Sequence, residues 1–382
     1  MLFLVHKEVI TIKKILFGIT SLTLGGAERV LVDISNKLSE KYDITIFSIY
    51  DNGELKNDLN KNIKFKALYN CRYDELTKLQ KMWIPIKILL FSKIIYNKKI
   101  KQNYDTEIAF LEGPITRLFS TKNKDVHKIA WIHNDIEKVF GNDLKSKIKK
   151  YIDKKIYKKY NDLVFVSQDN MEKFQNIYND LNTENMHVIY NYIDKDLVIK
   201  KSNYNIKVEF DYNSINFLTV CRLVKQKAID RFIRVHSKLI KRGLKHKVYI
   251  IGDGPEKENL QKLIKQENVE DTFVLLGKKE NPYPYIKNAN YFCLLSEFEG
   301  YGMVLEEAKI LNKPIIITNT AARECIENYP KALILENSED EIYDGLYKLL
   351  NDNDDKIFNN TQTSTEYDNT EKLQKIIELV GD

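Results

Sequence analysis

Residues 13–50 read KKILFGITSLTLGGAERVLVDISNKLSEKYDITIFSIY. The outer runs, KKILFGIT (13–20) and DITIFSIY (43–50), are rich in β-formers. Between them, Val30, Leu31, Ile34 and Leu38 fall at helical spacing. Gly25 and Gly26 separate the first run from that helix. A strand, a glycine turn, a helix and a second strand predict a parallel sheet with helices on its faces.

The alternation continues outward. TEIAFL (106–111), KIAWIH (128–133) and DLVFVS (162–167) read as further strands of the first half. Residues 195–214, KDLVIKKSNYNIKVEFDYNS, are polar and patternless and read as a connection. The pattern restarts at INFLTV (215–220) and runs through HKVYIIG (246–252), DTFVLLG (271–277), ANYFCLLS (289–296) and KPIIITN (313–319). At 382 residues the chain is too long for one core. The expectation is two doubly wound units, 1–195 and 196–365, with a cleft between strand C-terminal ends and a last helix over 366–382 that packs back on the first unit. Residues 1–11 read as an extension, since His6, Lys7 and Glu8 interrupt the apolar run and no small-residue cleavage site follows.

Composition excludes several classes. Charged residues at 30% and apolar ones at 43% are those of a globular protein. The net charge of +6 is mild and diffuse, and no nucleic-acid motif accompanies it. Cys71, Cys221, Cys293 and Cys325 lie far apart with no CxxC pair, so reduced thiols and a cytoplasmic setting are expected, with no metal site. No run reaches the roughly 20 apolar residues of a membrane span.

The chemistry-bearing residues gather at predicted strand ends. Gly25 and Gly26 allow close approach of a ligand to a helix start, although the pair is not GxGxxG and a ligand-free turn is the alternative. After INFLTV, the stretch VCRLVKQKAIDRFI places Arg222 and Lys227 before a helix, where two cations would neutralise a diphosphate without a metal. GDGP (252–255) and GKKENPYPYI (277–286) are turns at two further strand ends, which adds Gly252, Gly277 and Lys278 to the candidates. SEFEGYGMVLEEA (296–308) sets Glu299 in a glycine-broken turn and Glu307 in the helix beginning near Met303. Gly300, Tyr301, Gly302, Met303 and Val304 lie between and would cradle an anion or a sugar oxygen. Glu306 is adjacent to Glu307 and would face elsewhere.

With these motifs in this order, the chain resembles the retaining glycosyltransferases of glycosyltransferase family 4, which have the two-domain GT-B fold. The resemblance rests on GGAER, VSQDNMEKF, VIYNYID, CRLVKQKAIDRFI with GDGP, and Glu299-x7-Glu307, across most of residues 13–328. It implies that Arg222 and Lys227 bind the nucleotide diphosphate, that Glu299 contacts the donor sugar, and that Glu307 contacts the ribose. Backbone at Gly25, Gly26 and Gly302 to Val304 would cradle phosphate and sugar. His133, in WIHND, matches a family position near the donor sugar, whereas without the family it reads as a structural histidine. The chain departs from the family pattern at Ala228 and Asn312, where glycine is usual, and both look like turn or packing positions.

The resulting expectation is transfer of a hexose or N-acetylhexosamine, with UDP the commonest carrier in the family. Attack is expected on the face the leaving group departs from, since the sequence points to no second carboxylate poised as nucleophile opposite Glu299; a covalent route with another acid is the alternative. The alternatives are an epimerase or phosphorylase-like GT-B enzyme, or a non-catalytic nucleotide-sugar-binding subunit. The acceptor is expected to be a polysaccharide or a lipid-linked glycan. Residues 78–104, with seven lysines and no acid among Ile, Leu, Trp and Phe, suit an anionic membrane surface. The second basic run, 143–160, lies nearby, and for both runs ordinary core-packed helices with solvated lysines are the alternative.

Overall fold

The structure is a computed structural model that describes residues 12–51, 53–73, 75–100, 103–121, 125–133, 144–351, 358 and 367–381. The expected extension over 1–11 lies outside them. The chain divides into two compact units. One runs to Tyr192 and takes in Thr370 onward; the other spans Ile193–Asn369.

The first unit holds a seven-stranded parallel sheet. Its strands are β1 (Lys14–Ile19), β2 (Asp43–Tyr50), β3 (Lys64–Tyr69), β4 (Thr106–Ala109), β5 (His127–Ile132), β6 (Asp162–Phe165) and β7 (Met186–Val188), in the order β3-β2-β1-β4-β5-β6-β7. Successive residues of β1 show why both faces must be covered. Leu16 joins a core with Phe47, Ile88, Phe119 and Ile132, while Ile15, Phe17 and Ile19 are buried on the other side. Val30, Leu31, Ile34 and Leu38 of the helix Gly26–Leu38 are all buried, as their spacing requires. The terminal helix Thr370–Gly381 belongs to this unit: Thr106 Oγ1 donates to the Val380 carbonyl (3.4 Å), and Lys13 reaches that of Gly381.

The second unit repeats the plan with six parallel strands: β8 (Ile215–Val220), β9 (His246–Ile251), β10 (Phe273–Gly277), β11 (Tyr291–Leu294), β12 (Ile315–Thr318) and β13 (Ala332–Leu335), ordered β10-β9-β8-β11-β12-β13. Phe217, Val248, Cys293 and Ile316 face a core shared with Phe232, Leu260 and Leu346 from three helices. In both units the strand order reverses beside the first strand, between β1 and β4 and between β8 and β11. Ligands of doubly wound sheets bind outside the strand C-termini at such a reversal.

Two expectations change. Residues 195–214 are not a patternless connection: Lys195–Ser202 is a helix of the second unit, capped by Asp194, whose Oδ1 accepts from the Leu197 N–H (2.9 Å). Its lack of a strong apolar stripe hid it. The short strands β3, β7 and β13 also escaped a reading based on longer β-rich runs. The basic run after Leu144 is a helix to Tyr157 that sends Ile156 and Tyr157 into the core; Lys154 pairs with Asp180 (2.5 Å), and Asp153 with Arg117 (2.9 Å). Ile148 and Tyr151 of the same helix are exposed. Among the described residues no helix is long and apolar enough to cross a membrane.

Candidate functional site

The reversal between β8 and β11 is where the second unit concentrates its charge. After Val220 the chain passes Cys221 and Arg222, makes a 3₁₀ turn at Lys225–Lys227, and enters the helix Ile229–Lys241. The β11 end leads through Ser296 and Glu299 to the helix Met303–Ile310. Lys227 Nζ meets Glu299 Oε1 in an ion pair with 16% and 7% of the two side chains exposed. Such shielding strengthens the pair's mutual field. Ser296 Oγ donates to the same carboxylate oxygen (2.6 Å). Cys221 lies in this field: burial pushes its thiol up to about 12, with Lys227 opposing and Glu299 adding to the rise.

The two loops are stitched together. Gln226 Nε2 donates to the Phe298 carbonyl (2.9 Å), and the Glu297 N–H donates to the Gln226 carbonyl (2.9 Å). Arg231 donates to the Leu295 carbonyl (2.8 Å) and to Asn337 (2.8 Å), and Asn337 donates to the Glu297 carbonyl (2.8 Å). Glu299 is therefore held by backbone as well as by its cation. Arg222 differs: it is exposed, and its side chain makes no hydrogen bond or ion pair with the described residues. A cation fixed at its base and open at its tip is suited to an incoming phosphate.

Gly302 caps the helix Met303–Ile310 at φ 74°, a left-handed conformation that favours glycine. The turn leads into the helix start, where the first N–H groups, those of Met303 and Val304, have no intrahelical partner. Glu307 sits in this helix and accepts from the Tyr283 hydroxyl (3.2 Å). Glu306 faces elsewhere, and further inward than expected. It is fully buried, takes the Tyr301 hydroxyl on Oε1, and has Lys309 Nζ 3.4 Å from Oε2. Lys309 also donates to the Cys325 carbonyl (2.6 Å). Tyr301 is thus a buried strut beneath the loop; its ring packs in the interior at 5% exposure.

Ala228 and Asn312 adopt left-handed conformations, with φ of 48° and 54°. Both are turn positions, as the sequence suggested. Gly252 has a packing role. A Cβ there would stand 1.8 Å from the Cys221 carbonyl oxygen, and its N–H already donates to the Gly277 carbonyl (3.0 Å). That N–H is therefore committed to the fold rather than open to substrate. Gly277 makes the left-handed turn ending β10 (φ 71°), and Lys278 beside it is exposed.

The first unit presents a different set. Gly25 caps the helix Gly26–Leu38, but a Cβ on it would lie 2.2 Å from Glu28 Oε2. Glu28 folds its carboxylate back over the helix start and accepts its own N–H; burial raises its pKa against that hydrogen bond. This chain's own Glu28 side chain therefore lies against the predicted Gly25–Gly26 turn. His133 follows β5. Its N–H donates to Glu112 Oε1 (2.7 Å), and its ring packs on Phe110 (4.7 Å between centroids). Burial pushes its pKa down to about 3, so the imidazole is neutral, and its buried Nε2 has no hydrogen-bond partner among the described residues. A buried ring nitrogen without a partner is an unsatisfied acceptor or donor of the first unit.

Of the anticipated residues, the structure groups Arg222, Lys227, Glu299, Gly300, Tyr301, Gly302, Met303, Val304 and Glu307 at one sheet reversal. Gly25, Gly26 and His133 belong to the other unit. Ser296, Gln226 and Tyr283 were missed. Only Ser296, three residues before Glu299, carried a local signal.

Comparison with known proteins gives a family match and a fold match. Residues 200–365 match the family described as glycosyl transferases group 1. The chain is 28% identical to the N-acetylgalactosamine-N,N'-diacetylbacillosaminyl-diphospho-undecaprenol 4-alpha-N-acetylgalactosaminyltransferase of Campylobacter jejuni, over 87% of this chain and 89% of that one. Its fold matches crystal structures of Anabaena HepE in complex with UDP and glucose (TM-score 0.72, 15% identity, 97% of this chain and 99% of that one) and of TarM (TM-score 0.72, 17% identity, 98% and 99%). The seven- and six-stranded parallel sheets are those of the GT-B fold. Residues 200–365 therefore match the glycosyl transferases group 1 family, in a chain of GT-B fold.

Proposed function

We propose that this protein is a retaining glycosyltransferase that moves a hexose or N-acetylhexosamine from a UDP-sugar to a lipid-linked or polysaccharide acceptor of a cell-envelope glycan. The observation that carries the reading is the shielded Lys227–Glu299 pair at the β8/β11 reversal, with Arg222 open beside it. The acceptor class follows the Campylobacter relative, whose name gives a diphospho-undecaprenol acceptor. The carrier follows HepE, crystallised with UDP and glucose. The protein works on the cytoplasmic side of the membrane, where lipid-linked acceptors meet soluble donors.

In this reading Arg222 and Lys227 take the diphosphate, with the N–H groups at Gly302–Val304 adding positive potential. Glu307, oriented by Tyr283, receives the ribose hydroxyls. Glu299 orients the donor sugar and favours the positive charge that grows on its ring. The bond from the anomeric carbon to the phosphate oxygen breaks, and the acceptor oxygen bonds to that carbon on the same face. The acceptor proton passes to the leaving diphosphate. No metal is needed, because the cations and the helix start supply the countercharge.

The test is binding and slow hydrolysis across a panel of nucleotide sugars, with anomer configuration read by NMR. One donor turned over with retention, and lost in Glu299→Ala and Arg222→Ala, supports the reading. Inversion removes the same-face mechanism. No donor bound, or variants that turn over normally, removes the transferase.

A further inference from the structure

The helix Lys78–Lys99 is apolar on two opposite sides. Ile84, Ile88, Ile95 and Tyr96 enter the core of the first unit. On the far side, Leu79, Met82, Trp83, Ile86, Leu90 and Ile94 recur at three- and four-residue spacing. They face water, with Trp83 58% and Leu90 68% exposed. A surface helix ordinarily turns polar residues outward. An outward stripe of this length marks an interaction site.

The rim of the stripe identifies the occupant. At 100° per residue Lys78 and Lys87 fall on its two sides, before the kink at Phe91, and Lys93 lies beyond that kink. All three are exposed, and none forms an ion pair among the described residues. The sequence has no Asp or Glu between Glu75 and Asp105. The basic helix Leu144–Tyr157 is the useful contrast, because Lys154 there is neutralised by Asp180. We propose that the outward face of Lys78–Lys99 docks on an anionic phospholipid bilayer. The apolar side chains enter the headgroup boundary while the lysines meet lipid phosphates. A second copy of this chain fits poorly, since it would press two lysine rims together with no carboxylate between them.

The proposal rests on the functional reading only in taking the membrane as the place of work. Donor hydrolysis measured without lipid therefore tests that reading separately. The docking test uses the full chain and sedimentation with vesicles of phosphatidylcholine alone or of equal parts phosphatidylcholine and phosphatidylglycerol. Trp83 is a built-in probe, because Trp131, the other tryptophan, is buried. The expected result is binding to the mixed vesicles, weakened by salt, with a blue shift of tryptophan emission. Trp83→Asp with Leu90→Asp should weaken binding at least about tenfold, since each side chain loses its transfer from water. Both positions are exposed, and an unchanged thermal unfolding curve confirms the fold. Lys87→Glu with Lys93→Glu should remove the preference for anionic vesicles. Binding to neither vesicle, binding without the emission shift, or equal binding by the aspartate variant overturns the proposal. A wild-type dimer that the aspartate variant dissociates also overturns it and places a second copy on this face.

Discussion

Lys227 and Glu299, 72 positions apart in the chain, form an ion pair at the point where the second sheet reverses its strand order. Each comes from the C-terminal end of a neighbouring strand, β8 or β11. Replacing Lys227 by Met leaves the Glu299 carboxylate with Ser296 alone in a shielded site. This should cost about 3 kcal/mol of stability as well as donor turnover. Arg222→Ala removes a cation with no protein partner. It should leave stability within about 0.5 kcal/mol and lower turnover roughly 10²–10³-fold. Urea unfolding alongside donor hydrolysis separates the two cases; equal stability losses would refute the distinction.

Ala228 bears a side chain at φ 48°, between the 3₁₀ turn that supplies Lys227 and the helix that follows. Glycine adopts that conformation without the Cβ penalty, less its own greater chain entropy. Ala228→Gly should therefore raise stability by about 0.5–1 kcal/mol. Thermal unfolding checks the sign, and a lower Tm would refute it.

Glu306 supports the loop that carries Gly300 and Gly302 by holding Tyr301 and Lys309. Tyr301→Phe removes the hydroxyl donor from a fully buried carboxylate, at a cost of about 1–3 kcal/mol. Because Tyr301 sits beneath the donor cradle, KM for the donor should rise more than kcat falls. A fall in kcat at constant KM would instead place Tyr301 in the chemical step.

His236 and His246 are buried in a chain of hydrogen bonds. His246 Nδ1 lies 2.9 Å from the Leu244 carbonyl, His236 Nδ1 lies 2.8 Å from His246 Nε2, and His236 Nε2 lies 2.8 Å from Thr272 Oγ1. The arrangement assigns Nδ1–H to both rings, so Nε2 accepts in each and added protons disrupt the chain. Burial lowers the pKa of His236 to about 2 and that of His246 to about 4, the second histidine's charge adding to the fall for His236. Both lie below the ordinary value of about 6.5, so the unfolded chain binds the extra protons. Their stabilisation should be complete above about pH 6.5 and decline progressively as pH falls towards 4. Urea midpoints of the second unit across that range test this, and a midpoint that rises on acidification refutes it.

The repeating strand–helix pattern determined the fold class, because parallel strands buried on both faces read as apolar runs whatever they pack against. The motif order likewise pointed to the family that residues 200–365 match and drew attention to Arg222, Lys227, Glu299 and Glu307, since strand-end turns are local. Other features needed the tertiary structure. The strand order that makes Lys227 and Glu299 neighbours is a relation between chain-distant segments. So is the approach of Cys221 to Gly252, which gives that glycine a packing role. Glu28 over Gly25 and Glu306 beneath Tyr301 are side-chain directions, which spacing does not specify. The outward face of Lys78–Lys99 is the clearest case. Sequence showed a basic apolar segment, but only the core could select Ile84, Ile88 and Ile95 and leave Trp83 and Leu90 in water, because a helix apolar on two sides has no inward face until something packs on it.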